Sequence, residues 1–228
     1  MAKPTEATKS SKSKRTQKKI IDSLLTLMSE KKWDKISVKE ICTTAGITRG
    51  TFYQYYNDIY DLMESLQQSL LTDISERFAK IKLQPYSSIP PDYFIEKFDY
   101  SPPAFMPEWY LFCRDHKKAM YALLDRKKGD TFFVKQLKKI LTECFHYMMD
   151  CDGLPRDRLR DHYIKSMTEI CFLTTQTWLE DDAEDSLTIP DIVNLLNVTR
   201  VGACYLTYKG RVDPDFEKKM SLACNEKI

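Results

Sequence analysis

Histidine and cysteine are the residues in this chain that could carry catalysis or bind a metal, and their spacing supports neither. His116, His146 and His162 lie in no nucleophile-base arrangement, and the nearby Cys113 and Cys144 lack the spacing of metal ligands. The seven cysteines are an odd number without a C-x-x-C pair, which favours free thiols in a reducing compartment. We expect no metal, no cofactor and no enzymatic activity, and we interpret the histidines as structural.

Positive charge is concentrated at the N-terminal end of the sequence. Residues 1–56 contain 12 Lys and Arg against 5 Asp and Glu, although the formal net charge of the whole chain is only +2. A basic segment alone is often a solvated tail, so its meaning depends on the motif beside it. The partner that such a charge favours is a polyanion.

Composition predicts an all-α fold. Only 6 Gly and 10 Pro interrupt the 228 residues, of which 43% are hydrophobic. No apolar stretch approaches the roughly 20 residues of a membrane span, and the basic start lacks the apolar segment of a signal peptide. We therefore expect a globular cytoplasmic protein without a membrane association.

Periodicity divides the chain into three parts. Residues 1–13 contain almost nothing apolar and are expected to form a flexible basic arm, whereas helical periodicity begins at Lys14. We expect a helix-turn-helix domain over 14–60 and a helical body over 61–228. After a proline-rich passage with a short helix at Asp92–Lys97, the body is predicted to contain helices at Glu108–Asp125, Asp130–Met149, Pro155–Leu179 and Pro190–Tyr208.

The start and stop signals of short helices are clearest between Ser37 and Asp58. Ser37 and Glu40 form a capping-box pattern, and Gly46 can adopt the positive φ that ends the helix after it. Thr48 can cap a third helix, from Arg49 to about Tyr55, and Asn57 or Asp58 can cap a fourth. A helix, a glycine turn and a short helix are the arrangement that places the last element in the major groove, about 12 Å wide.

The segment ISVKEICTTAGITRGTFYQYYNDIYDLM, over Ile36–Met63, resembles the helix-turn-helix of the TetR/AcrR family of transcriptional regulators. The resemblance implies a three-helix head, a C-terminal helical bundle and a TetR-like homodimer. It also implies a ligand-responsive regulator, usually a repressor, that binds a near-palindromic site in double-stranded DNA.

Carried over to this sequence, the family pattern implies the DNA-binding residues. Thr48, Arg49 and Thr51 would lie on the groove face, and Gly50 would allow close approach to the DNA. Tyr53 would reach a phosphate and Gln54 a base edge. Contacts with phosphates would come from Lys14, Arg15, Lys18 and Ser37.

One position departs from the family pattern. Many members have a lysine just inside the fourth helix, where this chain has Ile59 after Asp58. The alternative function is therefore a co-regulator with the same fold that acts through a protein partner without binding DNA. An enzyme of a helical class is a more distant third hypothesis.

The body is predicted to provide a dimer interface and to respond to a small-molecule effector. The last two helices carry more apolar residues, such as Leu159, Ile170 and Leu195, than one inward face needs. Aromatic residues and methionines in the middle of the body could line a ligand cavity or could equally form a solid core. The candidates for the lining are Trp109, Tyr110, Phe112, Tyr121, Phe145 and Met148.

Overall fold

The computed structural model describes residues 6–81, 100–181 and 187–216, which form nine α-helices and no β-strand. This confirms the all-α prediction. None of the helices in these ranges combines the length and apolar character needed to cross a bilayer. The helices are α1 (Glu6–Met28), α2 (Val38–Ala45), α3 (Arg49–Tyr53), α4 (Ile59–Ala79), α5 (Phe105–Asp115), α6 (Lys117–Leu124), α7 (Thr131–Cys151), α8 (Arg158–Glu180) and α9 (Ile189–Val212), with a 3₁₀ turn at Trp33–Lys35.

Helix α1 begins earlier than the sequence predicted. The expected flexible arm over 1–13 is helical from Glu6, and only its first five residues lie outside the described ranges. A helix anchored at one end grows at little cost, because each added residue gains a hydrogen bond without a new nucleation step. The apolar residues Ile20, Leu24 and Met28 provide that anchor, since each is at most 2% exposed.

The helix predicted at Glu108–Asp125 is two helices with a corner at His116. The backbone of His116 is not helical, with φ −112° and ψ 27°. The His116 side chain is bound by another helix, because its Nε2 lies 2.7 Å from Asp73 Oδ2 on α4. Beside it, Arg77 of α4 bonds to Asp115 at 3.0 Å. Tertiary contacts therefore stabilise an interruption of the helix at His116, and the local sequence carries no signal for it. The short helix predicted at Asp92–Lys97 lies outside the described residues.

The chain forms two compact units, and each unit draws on separate stretches of sequence. A head unit comprises Met1–Arg77 and Cys113–Leu137, and a body unit comprises Phe78–Phe112 and Lys138–Ile228. This division differs from the single boundary at residue 60 that the sequence predicted. The reason is that α4 continues without interruption past residue 60, and that residues 113–137 pack with the N-terminal helices.

Polar contacts attach α6 to α1, and the start of α7 to the 3₁₀ turn after α1, within the head unit. Lys118 Nζ donates to the carbonyl of Asp22 at 2.8 Å, and Trp33 Nε1 donates to Asp130 Oδ2 at 3.1 Å. The other oxygen of Asp130 accepts from the amide of Phe133 at 2.7 Å and so caps α7. Asp130 is only 8% exposed, and both of its oxygens have a donor.

The core of the body unit is built around two aromatic side chains of α5. Trp109 is 1% exposed and Tyr110 is 0% exposed. Trp109 Nε1 donates to Thr175 Oγ1 at 2.9 Å, and the Tyr110 hydroxyl lies 2.9 Å from Thr174 Oγ1. Because both threonines belong to α8, these bonds fix α5 against α8 while satisfying the buried polar atoms.

A buried ion pair ties α9 to the connection after α7. Arg200 Nε and Nη2 each lie 2.7 Å from an oxygen of Asp152, and the two side chains are 7% and 6% exposed. Arg200 Nη1 also donates to the carbonyl of Ser101 at 3.0 Å. Taking two charges out of water is costly unless both stay paired, so the body unit depends on this geometry.

Removing one member of this pair should destabilise the protein strongly. In Arg200→Met, the Asp152 carboxylate stays buried without its partner, and the free energy of unfolding should fall by about 3–5 kcal/mol. The measurement is urea denaturation followed by circular dichroism. Arg156→Met is the matched control, because Arg156 is 79% exposed in its pair with Asp150 and should lose at most about 1 kcal/mol. Equal, small losses in both variants would contradict the role given to Arg200.

Candidate nucleic-acid interface

Helix α2 begins with the reciprocal cap that the sequence predicted. Ser37 Oγ accepts from the Glu40 amide at 3.3 Å, and Glu40 Oε2 accepts from the Ser37 amide at 2.9 Å. Lys31 Nζ lies 2.6 Å from Glu40 Oε1. The bonds from Lys31 and then from Ser37 lower the pKa of the Glu40 carboxyl to about 2. The Ser37 side chain is exposed, but its hydroxyl already takes part in this cap.

A glycine turn and a threonine cap set the start of α3. Gly46 has φ 64° and ψ 42°, the left-handed conformation that ends α2. Thr48 Oγ1 then accepts from the Thr51 amide at 3.1 Å. The third helix is shorter than predicted, because it ends at Tyr53 and a turn follows to Tyr55. The helix-turn-helix inferred from the sequence is present in the structure.

Phe52 anchors α3 in the head. Its side chain is 0% exposed, and its ring centroid lies 5.9 Å from that of Tyr56 and 5.6 Å from that of Tyr53. A helix of five residues is too short to be stable alone. The position of α3 therefore depends on the burial of Phe52 together with the cap at Thr48.

Another face of α3 is open to solvent, as is Gln54, which directly follows the helix. Arg49 and Gln54 are exposed, and Tyr53 is 56% exposed. A methyl group at Gly50 would meet nothing closer than Thr48 Oγ1 at 3.8 Å, so no packing within the protein requires a glycine there. This face presents a guanidinium, an amide and a phenol around an accessible backbone, which are suitable groups for base edges and phosphates.

The two threonines predicted on this face are partly engaged elsewhere. The hydroxyls of Thr48 and Thr51 lie 2.9 Å apart, and Thr51 is half-buried. Their first role in the structure is to hold the start of α3. Of the two, Thr48 is the more exposed.

The basic residues predicted to contact phosphates lie on the surface of α1. Lys14, Arg15 and Lys18 are all exposed, and Lys14 and Lys18 are one helical turn apart on the same face. Lys39, which the sequence analysis did not select, is also exposed near the start of α2. Lys39 lies between Ser37 and Glu40, the two capping residues of α2, and this position was the signal that could have identified it.

The N-terminus of α4 is occupied by acidic side chains. Asp58 Oδ1 accepts from the Asp61 amide at 2.9 Å, and Asp61 Oδ2 accepts from the Asn57 amide at 2.8 Å. Ile59, at the position where many relatives have lysine, is 8% exposed. Two carboxylates at this helix end oppose a phosphate, so the site offers no replacement for the lysine.

The candidates for a ligand lining do not all lie together. Five of them belong to the body unit and are at most 3% exposed: Trp109, Tyr110, Phe112, Phe145 and Met148. Tyr121 lies in the head unit and is 49% exposed. The rings of Trp109 and Phe112 lie 6.1 Å apart, and Phe145 lies 5.5 Å from Phe105.

Each of the three histidines takes part in a different local contact. His116 bonds to Asp73, whereas His146 and His162 are exposed and contribute backbone carbonyls to Arg160 and Ser166. Within the described ranges, no group of three or more His, Cys, Asp and Glu side chains could hold a metal ion.

Sequence comparison identifies relatives of the head. The profile of the family described as "Bacterial regulatory proteins, tetR family" matches residues 20–66. An uncharacterized HTH-type transcriptional regulator of Bacillus subtilis, YvdT, is 37% identical over 54 residues, which are 24% of this chain. The match spans only 28% of the length of that protein, so it concerns the helix-turn-helix segment alone.

Solved structures resemble much more of the chain. A tetR-family transcriptional regulator from Streptomyces coelicolor has a TM-score of 0.53 at 17% identity, over 90% of this chain and 86% of its own. The regulator FadR from Bacillus subtilis, solved in complex with stearoyl-CoA, has a TM-score of 0.51 at 17% identity, over 82% and 96%. At these identities the likeness concerns the fold.

Two glycines of the motif should respond oppositely to alanine. Gly46→Ala forces a side chain into the left-handed region and should lower the free energy of unfolding by about 1–2 kcal/mol. Gly50→Ala adds a methyl group without a clash in a helix and should raise it, by at most about 1 kcal/mol. Chemical denaturation of both variants beside the parent measures these changes. A loss of stability in Gly50→Ala would show that a contact within the protein requires that glycine.

Stability at low pH should depend on Glu40. The folded-state pKa of about 2 lies below the ordinary value of 4.5, so this group stabilises the fold above about pH 4.5 and loses that effect as the pH falls towards 2. The Glu40→Gln variant lacks the titrating group. Thermal unfolding between pH 2 and 6 should therefore show a steeper loss for the parent than for the variant. Parallel curves for the two proteins would contradict the assignment.

Proposed function

We propose that the chain is a regulator of the tetR family, whose profile matches residues 20–66, and that it is a ligand-responsive repressor that binds double-stranded DNA as a homodimer. The proposed target is a near-palindromic operator. Such a role places the protein in the cytoplasm with the DNA that it regulates.

The observation that carries the proposal is the exposed face of α3. Arg49, Tyr53 and Gln54 project from a helix that is fixed from behind by the buried Phe52. Within the described residues, the Arg49 side chain has no hydrogen bond or ion pair. A guanidinium can bond bidentately to guanine and an amide to adenine, whereas a phenol reaches phosphate. The Arg49 guanidinium and the Gln54 amide are exposed, and the Tyr53 ring, which contacts Phe52, is 56% exposed, which supports a role in DNA recognition.

Dimerisation is supported by the surface of the last two helices. Met167, Cys171 and Leu196 are buried within the protomer, whereas Leu159 and Leu195 are 77% and 55% exposed. Exposed apolar residues on one surface are typical of an interface. In a two-fold dimer, the two α3 helices would meet half-sites about 34 Å apart, which is one turn of DNA.

The proposed response to an effector involves the body unit. The FadR neighbour binds stearoyl-CoA, and the shared fold supports a ligand site in the body of this chain as well. The five buried lining candidates are packed as a core, so a ligand among them would have to displace side chains. An effector would release DNA only if it bound more tightly to the dimer state that cannot match both half-sites.

The acidic end of α4 favours a second candidate function. Asp58 and Asp61 lie on either side of Ile59, which is buried and stands where the family pattern has a lysine. A family member without this contact could act as a co-regulator through a protein partner. The two functions differ in whether the purified protein binds a specific duplex.

Substitutions on α3 test the proposed recognition surface. On a duplex that the parent selects from a random pool, Arg49→Ala should weaken binding by about 1–3 kcal/mol, because a base contact is lost. Tyr53→Phe should weaken binding less than Arg49→Ala does, and by a similar factor for all duplexes, because its contact is to phosphate. Fluorescence anisotropy measures both.

Matched controls come from exposed residues outside α3. Tyr60→Phe alters a tyrosine that is 61% exposed, and Arg158→Ala alters an exposed arginine of the body unit. Both controls should bind the duplex like the parent. If Arg49→Ala and Tyr53→Phe also bound like the parent, α3 would not be the recognition surface. Failure of the parent to select any duplex would favour the co-regulator.

A further inference from the structure

The loop between α6 and α7 carries a run of positive charge on a tightly bonded backbone. Arg126, Lys127 and Lys128 are consecutive in this loop. Oδ1 of Asp125 accepts from the amides of Lys127 and Lys128, both at 2.7 Å. A Cβ at Gly129 would lie 2.4 Å from the carbonyl oxygen of Asp125, which leaves no room for a side chain. The loop is therefore a close turn that presents three cations.

Contacts join this loop to the end of α1 and to the 3₁₀ turn that follows it. Lys128 Nζ donates to the carbonyl of Ser29. Asp130, directly after the loop, accepts from Trp33 Nε1 at 3.1 Å. The four residues belong to the head unit. Two segments that are far apart in sequence therefore form one surface of the head.

Positive charge dominates this surface. Its cations are Lys32, Lys35, Arg126, Lys127, Lys128 and Lys135. The exposed carboxylates beside them, of Glu30, Asp34 and Asp125, are half as many. Asp130 is the only acidic residue between positions 126 and 136, and it is buried and bonded. The side chains of Lys32, Lys35 and Lys127 form no hydrogen bond or ion pair within the described ranges. Their charges are available to a partner.

Exposed aromatic rings lie beside these cations. Tyr60 is 61% exposed, and its ring centroid lies 5.3 Å from that of the half-buried Trp33. Phe132 is 57% exposed and follows two residues after Asp130, the residue that bonds to Trp33. Aromatic side chains and arginine are enriched in the interfaces of protein complexes. This combination is typical of a surface that binds another protein.

We propose that this aromatic–basic surface, formed by Trp33, Tyr60, Phe132 and the six cations, docks an acidic segment of a partner protein. The segment also carries an aromatic or large aliphatic side chain. Its carboxylates pair with the cations, and its apolar side chain packs against the exposed rings. Because the backbone of the loop is already fixed, it loses little entropy on binding. The inference goes beyond the proposed DNA-binding role and does not require it.

A protein segment fits this surface better than duplex DNA does. The outside of a duplex offers phosphates and sugars, which give no apolar cover to Phe132 or Tyr60. Asp58 and Asp61, close to Tyr60 in sequence, would oppose phosphates. The same charges oppose an anionic membrane, whereas a protein segment can carry groups that complement both signs. The co-regulator considered above would have its contact surface here.

Peptide selection tests the surface directly. Random short peptides displayed on phage are first depleted on an immobilised Lys127→Glu/Lys135→Glu variant, which removes those that bind the DNA-reading face. The remaining peptides are then selected on the full chain and synthesised with a fluorescent label. They should be net negative and contain at least one aromatic or large aliphatic residue, because the surface has both kinds of group.

Independent substitutions then test whether the surface is continuous. In fluorescence anisotropy, Lys35→Glu and Phe132→Ser should each raise the Kd of a selected peptide at least about fivefold, because one removes a charge pair and the other an apolar contact. Lys80→Glu and Arg158→Glu are the matched controls, since both residues are exposed in the body unit. Each control should change the Kd less than about twofold. Circular dichroism should show that every variant is folded.

The outcomes separate this surface from the proposed DNA-binding role. The inference is overturned if no peptide remains after depletion, if the selected peptides lack negative charge, or if Lys35→Glu and Phe132→Ser bind them like the parent. A loss of at least about tenfold in binding of Lys127→Glu/Lys135→Glu to a random duplex, or to phosphatidylglycerol vesicles, would assign the surface to nucleic acid or lipid instead. A parent that binds the peptides but selects no duplex would remove DNA recognition alone.

Discussion

The burial of Phe52 is the interaction on which the proposed recognition surface depends. Helix α3 has only five residues and cannot be stable by itself. Phe52 is completely buried, and Thr48 caps the helix from its start. These two contacts anchor the backbone of α3 and leave Arg49 and Tyr53 exposed. Pre-positioned side chains lose little entropy on binding, which makes a very short helix adequate for reading DNA.

The motif could be predicted because its signals are local. The capping box at Ser37 and Glu40, the positive φ of Gly46 and the cap at Thr48 each follow from residues within four positions of one another. The exposure of Arg49 and Gln54 followed from the same register. Local signals could not predict that Thr51 is half-buried or that its hydroxyl contacts that of Thr48. The DNA-binding roles themselves stay predictions.

Features that depend on distant parts of the chain could not be predicted. The corner at His116 arises from its bond to Asp73, 43 residues away in sequence. Asp130 bonds to Trp33, 97 positions away in sequence. Such distant contacts place α6 and the start of α7 in the head unit. Periodicity predicted that α8 and α9 carry more apolar residues than one inward face needs. It could not distinguish the buried Leu196 from the exposed Leu195, because that choice depends on the packing of whole helices.

The most direct test of DNA recognition is a comparison of two duplexes. The full chain would be titrated with the duplex it selects and with a scrambled duplex of equal composition, at about 50 and about 200 mM salt. The account predicts binding to the selected duplex at least about 10³-fold tighter, with both affinities falling steeply as salt increases. Equal affinity for the two duplexes, or binding that does not depend on salt, would contradict it.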